Sequence, residues 1–448
     1  MQPQTNLCLH VGFEDQGFIV MRICKVKRLV LVLLATMIGS VGAFAQADVA
    51  SPYSIFGVGQ LAGKTPNVRL KGMGGVANAM YGTSLINAGN PASYAKIDSL
   101  AFLFDAGFYF KSSEFSTSTL SEPSANASFD HIFMAFGLTD WWKVSLGAQP
   151  YSVVDYKMVV DSNDPEVGNY TTAFRGTGGL NQAVIGNAFK IGKHFALGAN
   201  VNYVFGDTKT LTTLSFPDST YMIGSRRGID LMVSSFKFDY GLLYNTEIGK
   251  DYHFSMGVTY DQQIKLRGKQ TTFVRTIASD SEIEYLLDTV FYGVNDTARL
   301  TMPQGFGVGF AFQKKNSWCI GVDFDWMQWS KFAREGVNDS LSDSWRVSAG
   351  FEYQPQHTSI SNYFRRITYR VGGFYEQTFL TLRGHNLNKM GVTVGASLPI
   401  PKTLTKVNLA LEVGRSGTKQ DGLIQEGYVK FDVGVSVFER WFMKRKYK

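Results

Sequence analysis

Cysteine is nearly absent: three occur in 448 residues. Cys8 and Cys24 precede the cleavage site argued below, which leaves Cys319 alone. One thiol builds neither a disulfide framework nor a thiolate metal cluster. Among Trp318, Ile320 and Gly321 it reads as a small buried side chain. The six histidines, His10, His131, His194, His253, His357 and His385, lack ligand spacing, so no zinc site is predicted. Charge is scarce at 18%, against roughly 25% in soluble domains. No apolar run of about 18 residues follows the first 45, and a mean hydropathy of −0.06 excludes a helical membrane bundle. There is no G-x-S-x-G and no Ser tied to a His, so a lipid-modifying enzyme lacks its nucleophile and base. No catalytic residue and no cofactor is expected. The net charge of +7 includes a basic tail, Lys444-Arg445-Lys446-Tyr447-Lys448. It has no aromatic-interleaved basic motif beside it, so nucleic acid is not an expected partner.

What is present begins near the N-terminus. Met21 opens a basic stretch, Arg22, Lys25, Lys27 and Arg28, followed by the apolar run Leu29 to Ile38 and the A-x-A sequence Ala43-Phe44-Ala45. This is the layout of a secretory signal peptide. The expected start is Met21, with cleavage after Ala45, and no cysteine follows to carry a lipid anchor. Aromatics at 14% and 46 glycines complete the composition. An exported chain with many aromatics, few charges and no helical span fits the outer membrane of a Gram-negative cell, where only a closed barrel satisfies every backbone group.

From Ser99 on, large apolar residues alternate with small or charged ones. Phe102, Phe104, Ala106, Phe108 and Phe110 oppose Asp105, Gly107 and Tyr109. Phe306, Val308, Phe310 and Phe312 oppose Gly305, Gly307 and Gly309, and Trp318 to Trp326 repeats the pattern. A soluble sandwich also alternates, but its outward face is polar. The large face is expected toward lipid and the small or charged face toward the lumen. Short polar turns at Asp140 to Lys143, Gly192-Lys193, Gly249 to Asp251 and Lys314 to Asn316 alternate with longer polar stretches. The longer ones, Ser112 to Ala127, Asp161 to Asn169, Asp207 to Arg227, Gly268 to Arg299 and Arg334 to Ser342, read as outer loops. The count is about fourteen strands; Gln354 to Arg365 breaks the alternation, being long for a periplasmic turn. Trp141, Trp142, Phe195, Tyr252, Phe254, Trp318 and Trp441 beside the short turns suit an interfacial belt. The chain is therefore expected to be all-β: a transmembrane antiparallel β-barrel over 99–448, a leader over 1–45, and between them a hatch segment, 46–98.

That segment contains RLKGMGGVANAMYGTSLINAGNPASY, Arg69 to Tyr94, dense in Gly, Ala, Asn and Ser and without a period. Small residues let backbone approach surrounding walls closely, so it is expected to plug the lumen. Pro150 falls inside the third strand, KVSLGAQPYSVVDYKM, beside Gly147. Proline gives the ladder no N–H and sits at edges, ends or bulges; a closed barrel has no edge, so a bulge or a break in the wall is predicted. Asp105, Asp155, Asp239, Asp323, Asp325, Arg346, Glu352, Arg370, Glu376, Glu412 and Asp432 fall on the lumen face. Mutual pairing that braces the barrel accounts for them. A functional reading makes Arg346 or Arg370 a clamp for a ligand carboxylate.

Gly72-Met73-Gly74-Gly75 leading to Asn90-Pro91-Ala92 just before the first strand resembles the N-terminal hatch of the FadL-type outer-membrane transporters of fatty acids and aromatic hydrocarbons. The strand count and Pro150 in the third strand add to the resemblance. It implies a monomeric channel for passive uptake of a hydrophobic small molecule. Gly72, Gly74, Gly75, Asn90, Pro91 and Ala92 would gate it, and the ligand would leave laterally into outer-membrane lipid through a kink at Gly147 and Pro150. Some FadL-like barrels instead serve protein secretion or assembly as non-transporting partners, and that alternative stays open. The closing strand, YVKFDVGVSVF followed by Arg440-Trp441-Phe442, resembles the signal read by the barrel-assembly machinery.

Overall fold

Where one residue in two is large and apolar and the next is small, backbone pairing puts the two sets on opposite faces. The computed structural model describes residues 51–440 apart from 66, 219–221, 281–282, 357–361 and 402. The signal peptide, its cleavage site, Trp441 and the basic tail lie outside the described residues. Among the described residues fourteen antiparallel strands follow one another: β1 Ala101–Ser116, β2 Ser121–Phe136, β3 Trp142–Val153 resuming as Tyr156–Asp164, β4 Gly168–Ile191 and β5 Phe195–Ser215. Then come β6 Gly224–Ile248, β7 Tyr252–Asp261 resuming as Ile264–Asp280, β8 Ile283–Met302 resuming as Gly305–Lys314, and β9 Trp318–Met327. The set ends with β10 Ser344–Tyr353, β11 Thr368–Leu382, β12 His385–Pro399, β13 Lys406–Gly417 and β14 Gln425–Arg440. β1 pairs with β14 from Ala101↔Arg440 to Ser116↔Gln425, which closes the barrel. No helix among the described residues is long and apolar enough to cross a membrane; the strands do so.

The faces divide as the alternation predicts. Phe306, Phe310, Phe312, Ile320, Val322 and Phe324 are exposed outward, while Ala311, Cys319 and Asp323 are buried. Near the short turns Tyr252, Phe312 and Trp318 form one cluster, with ring centroids 5.6 to 6.3 Å apart. A second row lies outward of it: Tyr240 on Tyr260, Tyr260 on Phe306 and Phe306 on Trp326, at 6.3, 4.9 and 6.2 Å. Tyr252 and Tyr260 are eight residues apart on β7, roughly 20 Å of height for a strand tilted by about 40°. That spacing matches an apolar band of about 25 Å between two aromatic girdles.

Two sequence expectations change. The polar stretches read as outer loops are mostly strand: β5, β6 and the upper halves of β7 and β8 continue as paired hairpins beyond the outer aromatic row. In water neither face need be apolar, so the alternation that marks a membrane strand fades while pairing continues. The described parts of the connection after Gln354 lie at the same end as the short turns, with Gln354 bonded to Ser317 and a 3-10 turn at Tyr363–Arg366, and the strand count remains even.

Candidate functional site

The described residues of 51–98 lie inside the ring of strands, with contacts on every side. The Asn67 side chain caps a single helical turn, Val68–Lys71, and its amide donates to Asp105 of β1 at 3.0 Å. Lys71 lies 2.5 Å from Asp130 of β2 and 2.9 Å from Asp432 of β14. The backbone N–H groups of Ala77 and Asn78 donate to Asp323 of β9, and Ser255 of β7 donates to the Ala79 carbonyl. Asn200 of β5 donates to the Ala88 carbonyl. Asn90 caps the 3-10 turn Pro91–Lys96 by accepting from the Ala92 N–H, and its amide donates to the Asn78 carbonyl at 2.5 Å. Both Asn90 and Ala92 are fully buried.

The close fit rests on glycine from both partners. Gly74 and Gly75 sit at φ +73° and +83°, and a Cβ on Gly74 would lie 2.7 Å from the Gly373 carbonyl of β11. Gly72 packs on Gly395 of β12, where a Cβ would be 3.0 Å from the other Cα. On the wall, Gly198, Gly241, Gly257, Gly350 and Gly372 have no room for a Cβ, because Pro91, Asn90, Asn78 and Met73 occupy it. The strands thus present a girdle of bare backbone at the height where the segment seats.

Ionic contacts tie segment and wall together. Arg69 grips Glu352 of β10 with two hydrogen bonds, 3.0 and 2.8 Å, and Arg370 of β11 holds the same carboxylate at 2.7 Å. Lys64 reaches Asp261 at 3.4 Å and Asp325 at 3.3 Å. Burial pulls the Lys64 ammonium down, but the two carboxylates outweigh it and hold its pKa above the ordinary lysine value. Removing one partner of a buried cluster leaves uncompensated charge, at a cost of about 3–5 kcal/mol. Glu352→Gln strands two guanidiniums at once, so the folded band is expected to unfold at clearly lower urea than the parent in gel-shift titrations. An unchanged midpoint would mean water already supports that cluster.

The seam between β2 and β3 is discontinuous. β2 pairs with β1 along its length, from Ser116↔Ser121 to Phe102↔Phe136. With β3 it pairs only from Ile132↔Ala148 to Phe136↔Val144. Pro150 lies two residues past the last of these pairs. There β3 stays with β4, through a bulge between Pro150 and Ser152, and its other edge turns to a two-residue strand, Gln60–Leu61, which pairs with Val153 and Ser152. The Ala62 N–H continues that ladder onto the Tyr151 carbonyl at 3.0 Å. Gly147 belongs to the paired part, where the Phe133 ring lies over its Cα and excludes a side chain. Beyond Ala148 the inner strand has taken the partner that β2 would supply.

Two cavities meet at this inner strand, and Gln60 to Lys64 line both. One, about 190 Å³, lies toward the seam and is lined by Ser124, Asn126 and Asp130 of β2, Gln149 and Pro150 of β3, and the lysines 71, 111, 389 and 430. The other, about 310 Å³, has an apolar end of Tyr53, Tyr151, Trp329, Phe379, Leu380 and Leu387 and a polar end of Lys237, Asp239 and Asp261. Trp329 stacks on Phe379 at 4.4 Å.

A family model described as BamG matches residues 25–448. The chain belongs to the BamG family. No curated protein matches it in sequence. Among solved structures, this BamG-family barrel is similar to the toluene transporter TodX of Pseudomonas putida at a TM-score of 0.57 and 16% identity, covering 86% of this chain and 100% of that one. It is similar to a FadL homologue of Pseudomonas aeruginosa at 0.56 and 12%, covering 86% and 100%. The toluene transporter TbuX of Ralstonia pickettii gives 0.55 and 16%, covering 85% and 99%. The likeness is one of fold: a closed FadL-type barrel, the architecture of the outer membrane.

In this BamG-family chain the six small residues singled out from the sequence, Gly72, Gly74, Gly75, Asn90, Pro91 and Ala92, all lie at the contact between segment and wall. The two arginines part company. Arg370 is buried, bound to Glu352 and to Ser397 at 2.8 Å. Arg346 borders both cavities, donating to Glu376 at 3.1 Å and to the Gly74 carbonyl at 3.0 Å, with its guanidinium 4.0 Å from the Phe374 ring centroid. Sequence reasoning missed the glycine girdle and the inner strand. The glycines carried a readable signal, since each stands on the lumen face of its strand; two paired residues in the segment ahead of the barrel carried none.

Proposed function

We propose that this barrel is an outer-membrane channel for passive uptake of hydrophobic, fatty-acid-like or aromatic small molecules. The glycine-rich segment gates it, and the ligand leaves sideways between β2 and β3. The observation that carries the reading is the adjacency of a cavity with an apolar end to a stretch where β3 has left β2. A cavity of about 310 Å³ falls at the small end of ligand sites, roughly 300–1,000 Å³. The apolar end receives the tail, and the inner strand Gln60–Leu61 stands between it and the seam. Arg346 borders both cavities, as Lys64 and Lys389 do, and its guanidinium is the group among them that can meet a carboxylate with two hydrogen bonds. The similarity in fold to TodX and TbuX, which are toluene transporters, supports the same substrate class.

The experiment is uptake of labelled palmitate and labelled toluene by cells with and without the barrel. Ala62 faces the cavities from the inner strand, so Ala62→Trp fills the passage and is expected to reduce uptake toward the barrel-free level at equal surface abundance. Uptake that never depends on the barrel would favour the second reading, a non-transporting partner in outer-membrane protein assembly, to which the family name lends support.

A further inference from the structure

The upper hairpin of β7 and β8 carries an apolar surface beyond the outer aromatic row. β6 runs unbroken from Gly224 to Ile248 and pairs with both halves of β7, so the hairpin continues the wall outward. Phe306 marks the outer aromatic row on β8. Phe291 to Val294 lie 12 to 15 residues beyond it, roughly 40–50 Å along the strand. There Phe291, Tyr292 and Val294 are 51%, 63% and 45% exposed, and Leu286 and Val290 are 56% and 65% exposed. Soluble surfaces seldom expose apolar side chains in such a run unless something binds them.

The backbone says what kind of partner fits. On one side β8 pairs with β7, without register shift from Phe291↔Val274 to Asn295↔Gln270. On the other side its root takes a short strand of the same chain, Leu300↔Arg334 and Thr301↔Ala333. Glu335 adds one more rung: its N–H donates to the Arg299 carbonyl, and its carboxylate accepts from the Arg299 N–H at 2.8 Å and the Asn295 amide at 3.2 Å. The chain then turns away at Glu335 and Gly336, φ +52° and +81°. Above Arg299 no described residue continues that ladder. The edge accepts an antiparallel strand and is left open where its side chains become apolar.

We infer that the outer edge of β8 at Phe291 to Asn295 is a docking site for an extended segment of another protein, which adds a strand to this sheet. Alternate N–H and C=O groups of the run supply main-chain bonds, and the apolar side chains on both faces select a segment with apolar residues at alternate positions. An edge with no such partner is usually blunted by charge or proline; between Val290 and Asn295 this one has neither.

The test places the photocrosslinker p-benzoylphenylalanine at Tyr292 in the full-length chain in living cells, with the same probe at lipid-facing Phe324 as a control that the chemistry works. The expected result is one identified protein whose crosslinked peptide alternates apolar and polar residues. Its yield should fall roughly tenfold with Val294→Lys, the effect of losing about 1.4 kcal/mol of binding, and comparably with Phe291→Ser. Both variants alter exposed positions and should retain heat-modifiable migration. Adducts only with lipid or lipopolysaccharide, only with a second copy of this chain, or none while Phe324 reacts would each overturn the inference. A protein adduct indifferent to both substitutions would overturn it too.

Discussion

Planar bilayers holding the intact protein are expected to show no steady ion current, whereas those holding a form lacking residues 69–94 conduct in discrete steps. The barrel should survive the deletion because its closure rests on β1 pairing with β14 and not on the segment inside. Glu352, Asp323 and Asp432 lose Arg69, two backbone N–H groups and Lys71, but they then face a water-filled lumen that solvates them. Gly257→Leu reaches the same end by substitution, since any side chain there collides with the Asn78 carbonyl and must lift the segment from its girdle. Its conductance should lie between that of the parent and the deletion. Equal conductance from all three forms would mean that the segment does not seal the lumen.

Replacing Pro150 with Val should leave the barrel as stable as before, or more so, while uptake of a hydrophobic substrate falls toward that of cells without the barrel. Proline removes one ladder donor, and it stands two residues past the last β2–β3 pair, Ile132↔Ala148. A β-branched residue restores the donor and favours continued pairing, so β3 can extend its ladder along β2 through Asp130 and Ser128. Closure must also compete with Gln60–Leu61, which already holds Ser152 and Val153. Joining Pro150→Val to a deletion of residues 60–61 should therefore close the seam further than either change alone. The measurement is labelled palmitate uptake at matched surface abundance. Transport by Pro150→Val equal to the parent's would reduce Pro150 to a bulge and remove the lateral route.

Much of the architecture was legible in the residues because a membrane strand is written twice, once in lipid and once in the lumen. Phe306, Val308, Phe310 and Phe312 against Gly305, Gly307 and Gly309 leave one register and one orientation, since a slip by one residue turns every ring inward. The even count and Pro150 within the third strand were legible for the same reason. Beyond the outer aromatic row that constraint lapses, so the hairpin strands of β5 to β8 looked like loops and the open edge at Phe291 to Asn295 went unseen.

The site was less legible because its contacts join residues far apart in the chain. Nothing near Glu352 announces Arg69, 283 residues away, and nothing near Val153 announces Gln60 as its ladder partner. Local pattern determined that this protein would be a barrel with small residues before it and a weak point at Pro150. Tertiary structure alone decided that the glycines of the wall meet the glycines of the segment, that Arg370 is taken up by Glu352 while Arg346 faces the cavities, and that β3 leaves β2 for an inner strand. Period and composition report the medium each face meets; which backbone fills a given gap depends on closure of the whole ring.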